Sequence, residues 1–70
     1  MKKAEAIWNQ YCSDADWEPY DWVDPYTTEC NISLTVDGYE FSGWGIICCG
    51  EKEIGDLECK TPEGEIIKIY

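Results

Sequence analysis

The chemistry open to this chain is set as much by missing side chains as by those present. It carries fifteen carboxylates, five lysines and five cysteines, and has neither histidine nor arginine. That removes the commonest general base and the usual bidentate clamp for phosphate or carboxylate. No glycine-rich loop opens a helix and no nucleophile motif is present, so the sequence points away from an enzyme. Cys12, Cys30, Cys48, Cys49 and Cys59 would be enough thiols for a tetrahedral zinc site. Their spacing does not support one: there is no Cys-x-x-Cys, and Cys48 and Cys49 are expected on opposite faces of a strand. Free cysteine usually behaves as a small buried hydrophobe, so a thiolate zinc domain is a lesser alternative and no cofactor is expected. Asp14, Asp16 and Glu18 alternate like the start of a calcium loop, without the glycine and later glutamate that an EF-hand needs.

Recognition is the chemistry that remains, and residues 13–29 concentrate it. This stretch says one thing twice: Asp16-Trp17-Glu18-Pro19-Tyr20, then Asp21-Trp22-Val23-Asp24-Pro25-Tyr26. Tryptophan and tyrosine are favoured hot-spot residues, and rigid rings contact a partner at low entropic cost. Interleaved with acids, they suit a groove lined with lysine and arginine, the carboxylates standing where phosphates would and the rings where bases would stack. The candidate contacts are the acids Asp14, Asp16, Glu18, Asp21, Asp24 and Glu29 and the rings Trp17, Tyr20, Trp22 and Tyr26. Each ring has a competing role in the core. Trp8 and Trp44 are assigned there, while Trp17 and Trp22 are left between core and interface.

Charge distribution agrees. The net charge is −10, and no basic residue lies between Lys3 and Lys52. Such a field repels nucleic acid and anionic membrane and steers the chain toward a basic partner; the bland reading is that the acids only keep the protein soluble. A signal-like start at Met1-Lys2-Lys3 is interrupted by Glu5, Asn9 and Gln10, and no stretch could span a bilayer. A cytoplasmic protein with reduced thiols is expected.

The elements that must position these residues follow from periodicity. Seventy residues make one domain, 1–70. Residues 1–12 read as a helix, with Ala4, Ile7, Trp8, Tyr11 and Cys12 on one face. Residues 13–29 read as a short helical turn followed by an irregular, extended segment stiffened by Pro19 and Pro25. Residues 30–70 read as an antiparallel sheet. Cys30, Ile32, Leu34 and Val36 alternate with polar residues, Asp37-Gly38 is a strong hairpin signal, and Val36 should then face Tyr39 and Leu34 face Phe41. Gly43-Trp44-Gly45 suggests a bulge or a close backbone approach. The apolar run 46–49 suggests a strand covered on both sides, and residues 50–53 a turn. Residues 54–60 and 65–70 make two further strands around a turn at 61–64. The fold class is α+β: an N-terminal helix packed on a four-stranded antiparallel meander, with an acidic aromatic connecting segment.

In its small size, acidity, lack of histidine and arginine, Asp16–Tyr26 repeat and helix-plus-sheet plan, the chain resembles phage-encoded anti-defence proteins, among them anti-CRISPR proteins that mimic DNA. The resemblance implies a non-enzymatic inhibitor that occupies the basic nucleic-acid channel of a host nuclease or CRISPR effector complex. It would bind neither nucleic acid nor membrane directly. A monomer is expected, with residues 65–70 as the edge most open to pairing with another chain. The rival is a small structural or regulatory interaction module whose acids are only solubilising.

Overall fold

The computed structural model describes residues 2–70. One helix, α1 (Lys2–Tyr11), runs into a 3-10 turn at Cys12–Asp14 and then into five strands: β1 (Asp16–Asp24), β2 (Thr27–Val36), β3 (Tyr39–Cys48), β4 (Glu51–Lys60) and β5 (Ile66–Lys68). The strands form one antiparallel sheet in the order β1-β2-β3-β4-β5. The α+β class holds, with five strands rather than four.

The additional strand is the acidic aromatic stretch itself. It is no irregular connection: Asp16–Asp24 pairs along β2, and Asp24-Pro25-Tyr26-Thr27 turns the hairpin, the Tyr26 N–H donating to Asp24 Oδ1 at 2.8 Å. Proline misled the reading because it forbids only the N–H side of a ladder. On an edge strand that side can face water, and Pro19 stands on the edge strand β1, opposite Cys30.

The hairpin at Asp37-Gly38 has the expected register, Val36 facing Tyr39 and Leu34 facing Phe41. Asp37 and Gly38 both have positive φ, 50° and 84°, as a type I′ turn requires. The next turn lies at Cys49-Gly50, and β4 starts at Glu51, three residues before the expected strand. The last strand is shorter than 65–70. After Lys68 the chain bends, and the N–H groups of Ile69 and Tyr70 both donate to the Leu57 carbonyl, at 2.8 and 3.1 Å.

Period-two alternation sorts the sheet into two faces. The inner face carries Ile32, Phe41, Leu57, Cys59 and Ile67, which form the core with Ala4 and Trp8 of α1. Trp8 and Phe41 stack obliquely, ring centroids 5.5 Å apart. Phe41, Ile32 and Leu57 are fully buried, and burial of such a side chain contributes about 1.5–3 kcal/mol. Cys30 and Cys59 are buried as expected, whereas Cys12 is exposed in the 3-10 turn.

Cover is incomplete because the helix is short. Ten helical residues span about 15 Å, whereas ten-residue strands span about 33 Å. The far end of the sheet is therefore single-layered, and the run at 46–49 is not enclosed on both sides: Ile46 and Ile47 are half-buried, Cys48 and Cys49 exposed.

Two tryptophans cover the sheet by lying on glycine, Trp17 on the inner face and Trp44 on the outer. A Cβ built on Gly45 would sit 2.6 Å from the Trp17 ring, and one on Gly55 would sit 2.4 Å from the Trp44 ring. Gly55 is the extra residue of a bulge in β4, where Trp44 pairs with Asp56 but Gly45 with Ile54. Gly43 meets backbone instead, since its Cβ would lie 2.0 Å from the Asp56 carbonyl oxygen. The glycines flanking Trp44 thus mark close approach, as the sequence suggested. Gly43→Ala is expected to destabilise the protein by about 1–3 kcal/mol through overpacking, and Trp8→Ala by about 3–5 kcal/mol; urea unfolding followed by tryptophan fluorescence, with circular dichroism for Trp8→Ala, measures both.

Candidate functional site

The outer face of the sheet gathers the acids, and a bulge makes this possible. The two Asp-Trp pairs, Asp16-Trp17 and Asp21-Trp22, are five residues apart. On a regular strand an odd offset would place the second pair on the opposite faces from the first. Between Pro19 and Asp21 the register shifts, Pro19 facing Cys30 and Asp21 facing Glu29, so Tyr20 is the extra residue. The bulge restores parity: Asp16, Glu18 and Asp21 all project outward, while Trp17 and Trp22 both project inward.

Cross-strand rows then extend the acidic surface over the sheet. Asp16 aligns with Ser33, Ser42, Glu58 and Lys68. Glu18 aligns with Asn31, Trp44 and Asp56, and Asp21 with Glu29, Ile46 and Glu53. Neighbouring strands lie about 4.8 Å apart, and same-face residues along a strand about 7 Å apart. The outer face therefore carries carboxylates on four strands, spaced by Asn31, Ser33, Ser42, Trp44 and Ile46, with Lys60 and Lys68 on its β4–β5 side. Lys68 bonds Asp56 at 3.0 Å, with both side chains exposed, a surface pair that contributes little. Lys52 offers the face nothing: it lies on the inner side, its ammonium 5.3 Å from the centre of the Trp17 ring.

The sequence-predicted residues therefore do not form one cluster. Asp14 is exposed in the 3-10 turn beside Asp16. Asp24 holds the β1–β2 turn through its side chain, so part of its role is architectural. Trp17 is half-buried under Lys52 and packs on Gly45. Trp22 is 64% exposed at the uncovered inner end, and Tyr26 is 74% exposed at the turn. Tyr20 adjoins Glu29. Loss of surrounding water, and then the Glu29 carboxylate, push its phenol above the ordinary tyrosine range.

Trp44 is the ring that sequence reading misplaced. Assigned to the core, it stands 39% exposed on the acidic face, in the row of Glu18, Asn31 and Asp56. Parity was the available signal: with Phe41 inward, Gly43 and Gly45 must also point inward and Trp44 outward. The acids of β4, Glu53, Asp56 and Glu58, were missed for a different reason. Their pairing partners lie on β3, and only the ladder puts them on the same face as the acids of β1 and β2.

Among the described residues no group of three or more histidine, cysteine, aspartate or glutamate side chains converges to hold a metal ion. Burial pushes the Cys59 thiol up. One expectation fails: Cys48 and Cys49 do not point apart, their Sγ atoms lying 3.7 Å from each other. Cys49 is not in a strand but in the turn, with φ of 56°.

Comparison with protein-family models, with curated proteins and with solved structures finds no match. No helix of the described residues is long and apolar enough to cross a membrane.

Asp21 and Glu29 occupy directly opposed positions on adjacent strands, an arrangement that costs stability. Glu29→Gln is expected to stabilise the fold by about 0.2–1 kcal/mol, read as a higher midpoint in urea. A lower midpoint would show that Glu29 is held by favourable contacts.

Proposed function

We propose that this chain is a non-enzymatic inhibitor that presents its outer sheet face to the basic nucleic-acid-binding surface of a host defence nuclease or CRISPR effector complex. The observation that carries this reading is the outward row in which Asp21 and Glu29 are directly opposed and Glu53 lies beyond Ile46, with Glu18 and Asp56 at either side of Asn31 and Trp44 in the next row. Acids needed only for solubility could be scattered or interspersed with lysine at no cost. Here Asp21, Glu29 and Glu53 stand in register on one face, with Lys52 turned to the other and the lysines of that face, Lys60 and Lys68, confined to its β4–β5 side. Carboxylates fixed on paired strands lose little further freedom on binding, so their attraction to lysine and arginine is not spent on ordering them. Trp44, seated on Gly55 amid the acids, supplies an anchor that is already rigid.

A second reading rests on the tip formed by the β1–β2 and β3–β4 turns, which the Cys49 N–H joins to the Tyr26 carbonyl at 3.1 Å. There Trp22, Val23 and Tyr26 are exposed together. They could dock a partner by apolar contact, with the acids only solubilising.

Titration into nuclease and CRISPR effector assays, with target-DNA binding as the readout, separates the two. Charge mimicry predicts that inhibition weakens about tenfold or more between low and high salt. It also predicts that the double reversal Asp21→Lys, Glu29→Lys abolishes inhibition without unfolding the chain. Trp22→Ala with Tyr26→Ala should then have a smaller effect. A salt-independent affinity, lost with the tip rings and kept in the double reversal, would transfer the site to the tip.

A further inference from the structure

The two hairpin turns of the β2-β3-β4 unit offer an internal comparison. Both have positive φ at their two central residues: 50° and 84° at Asp37 and Gly38, 56° and 84° at Cys49 and Gly50. The first uses the Asp-Gly dipeptide that a type I′ turn favours. The second places cysteine where aspartate, asparagine or glycine would be expected, although the left-handed region costs a side-chain-bearing residue on the order of 1 kcal/mol. Such an outlier calls for a functional reason. Its geometric effect is to swing the Cys49 side chain out of the strand alternation, so that Cys48 and Cys49 lie on the same side. Their Sγ atoms are 3.7 Å apart and both residues are exposed. The Thr27 hydroxyl donates to Cys48 Sγ at 3.3 Å, which orients that sulfur.

A span of 3.7 Å is too long for a disulfide bond, at about 2.05 Å, and matches two thiolates on one soft centre. With metal–sulfur bonds of about 2.3 Å in tetrahedral geometry, the edge between sulfurs is about 3.8 Å. We propose that Cys48 and Cys49 form a bidentate dithiol site that captures a single soft, thiophilic acceptor, of the class of trivalent arsenicals and closed-shell thiophilic metal ions. For an organoarsenic(III) oxide, two arsenic–sulfur bonds form, the arsenic–oxygen bond breaks, and the two thiol protons leave with that oxygen as water. Arsenic remains trivalent and no oxidant is consumed. The acceptor binds at the turn end of the outer face, where Cys48 stands in the row of Asp24, Thr27 and Glu51, one row beyond Asp21, Glu29 and Glu53.

Phenylarsine oxide tests this on the full-length, pre-reduced protein by native mass spectrometry. One adduct per chain is expected, together with protection of Cys48 and Cys49, but not Cys12, from alkylation. Cys48→Ser and Cys49→Ser should each lower adduct formation at least tenfold, whereas Cys12→Ser should keep it. Circular dichroism establishes that each variant is folded. Cys49→Asp, which restores the favoured turn dipeptide, should remove the adduct while raising stability, so that loss of capture is separable from loss of fold. Absence of an adduct on the wild type, or an equal adduct on folded Cys48→Ser or Cys49→Asp, overturns the proposal. Zinc and copper(I) offered separately as competitors distinguish the acceptors. Displacement of the arsenical by either extends the site to that ion, and survival of the adduct against both restricts it to arsenicals.

Discussion

The pairing of β1 with β2 through the bulge at Tyr20 is the constraint on which the acidic face depends. An Asp-Trp unit repeated at an odd spacing cannot keep its chemistry on one side of a regular strand. One extra residue, unpaired in the ladder, converts the repeat into two aspartates on the outer face and two tryptophans on the inner face. The same bulge, together with Pro19 and a second irregularity between Trp22 and Asp24, interrupts the free edge of β1. Its outward acids add repulsion to that interruption. Edge strands protected in this way resist pairing with other chains, so the features that build the face also keep it from being covered.

Stability and charge pull against each other in this molecule. A chain of seventy residues has little core to spend, and one short helix covers only half of its sheet. Glycine and tryptophan make up part of the deficit. Rings on Gly45 and Gly55 cover backbone that no second layer reaches, and large rings bury much area for each residue ordered. Against that thin margin stands a set of outward acids whose closest members, Asp21 and Glu29, are directly opposed across β1 and β2. Native domains are stable by only about 5–15 kcal/mol, so carboxylates kept in that arrangement are a measurable drain. The proposed function supplies a reason for keeping them.

The tip shows the same tension on a smaller scale. Cys49 holds a backbone conformation that its neighbour Gly50 accepts freely and that Asp37 accepts more readily in the opposite turn. The result is a pair of adjacent sulfurs, which a strand would have kept apart. Hydrogen bonding between the two thiols, then the charge on Cys48 and the nearby Asp24 carboxylate, push the Cys49 thiol up.

Local pattern alone determined the helix, the inward faces of β2 and β4, the Asp37-Gly38 hairpin with its register, and the acidity with its concentration ahead of Lys52. Each of these follows from neighbours in sequence: a 3.6 or 2.0 period, a turn dipeptide, a count of charges. Only the tertiary structure decided that residues 16–24 are a strand, because proline excludes a ladder on one side alone and the choice of side belongs to the sheet. It decided the parity of Trp17, Trp22 and Trp44, since one bulge residue inverts every face beyond it. It also placed Glu53, Asp56 and Glu58 on the same face as Glu18 and Asp21, with β2 and β3 between them, and set Cys48 beside Cys49. Proximity across strands comes from hydrogen-bond register, and turn geometry from φ, neither of which residue type alone specifies.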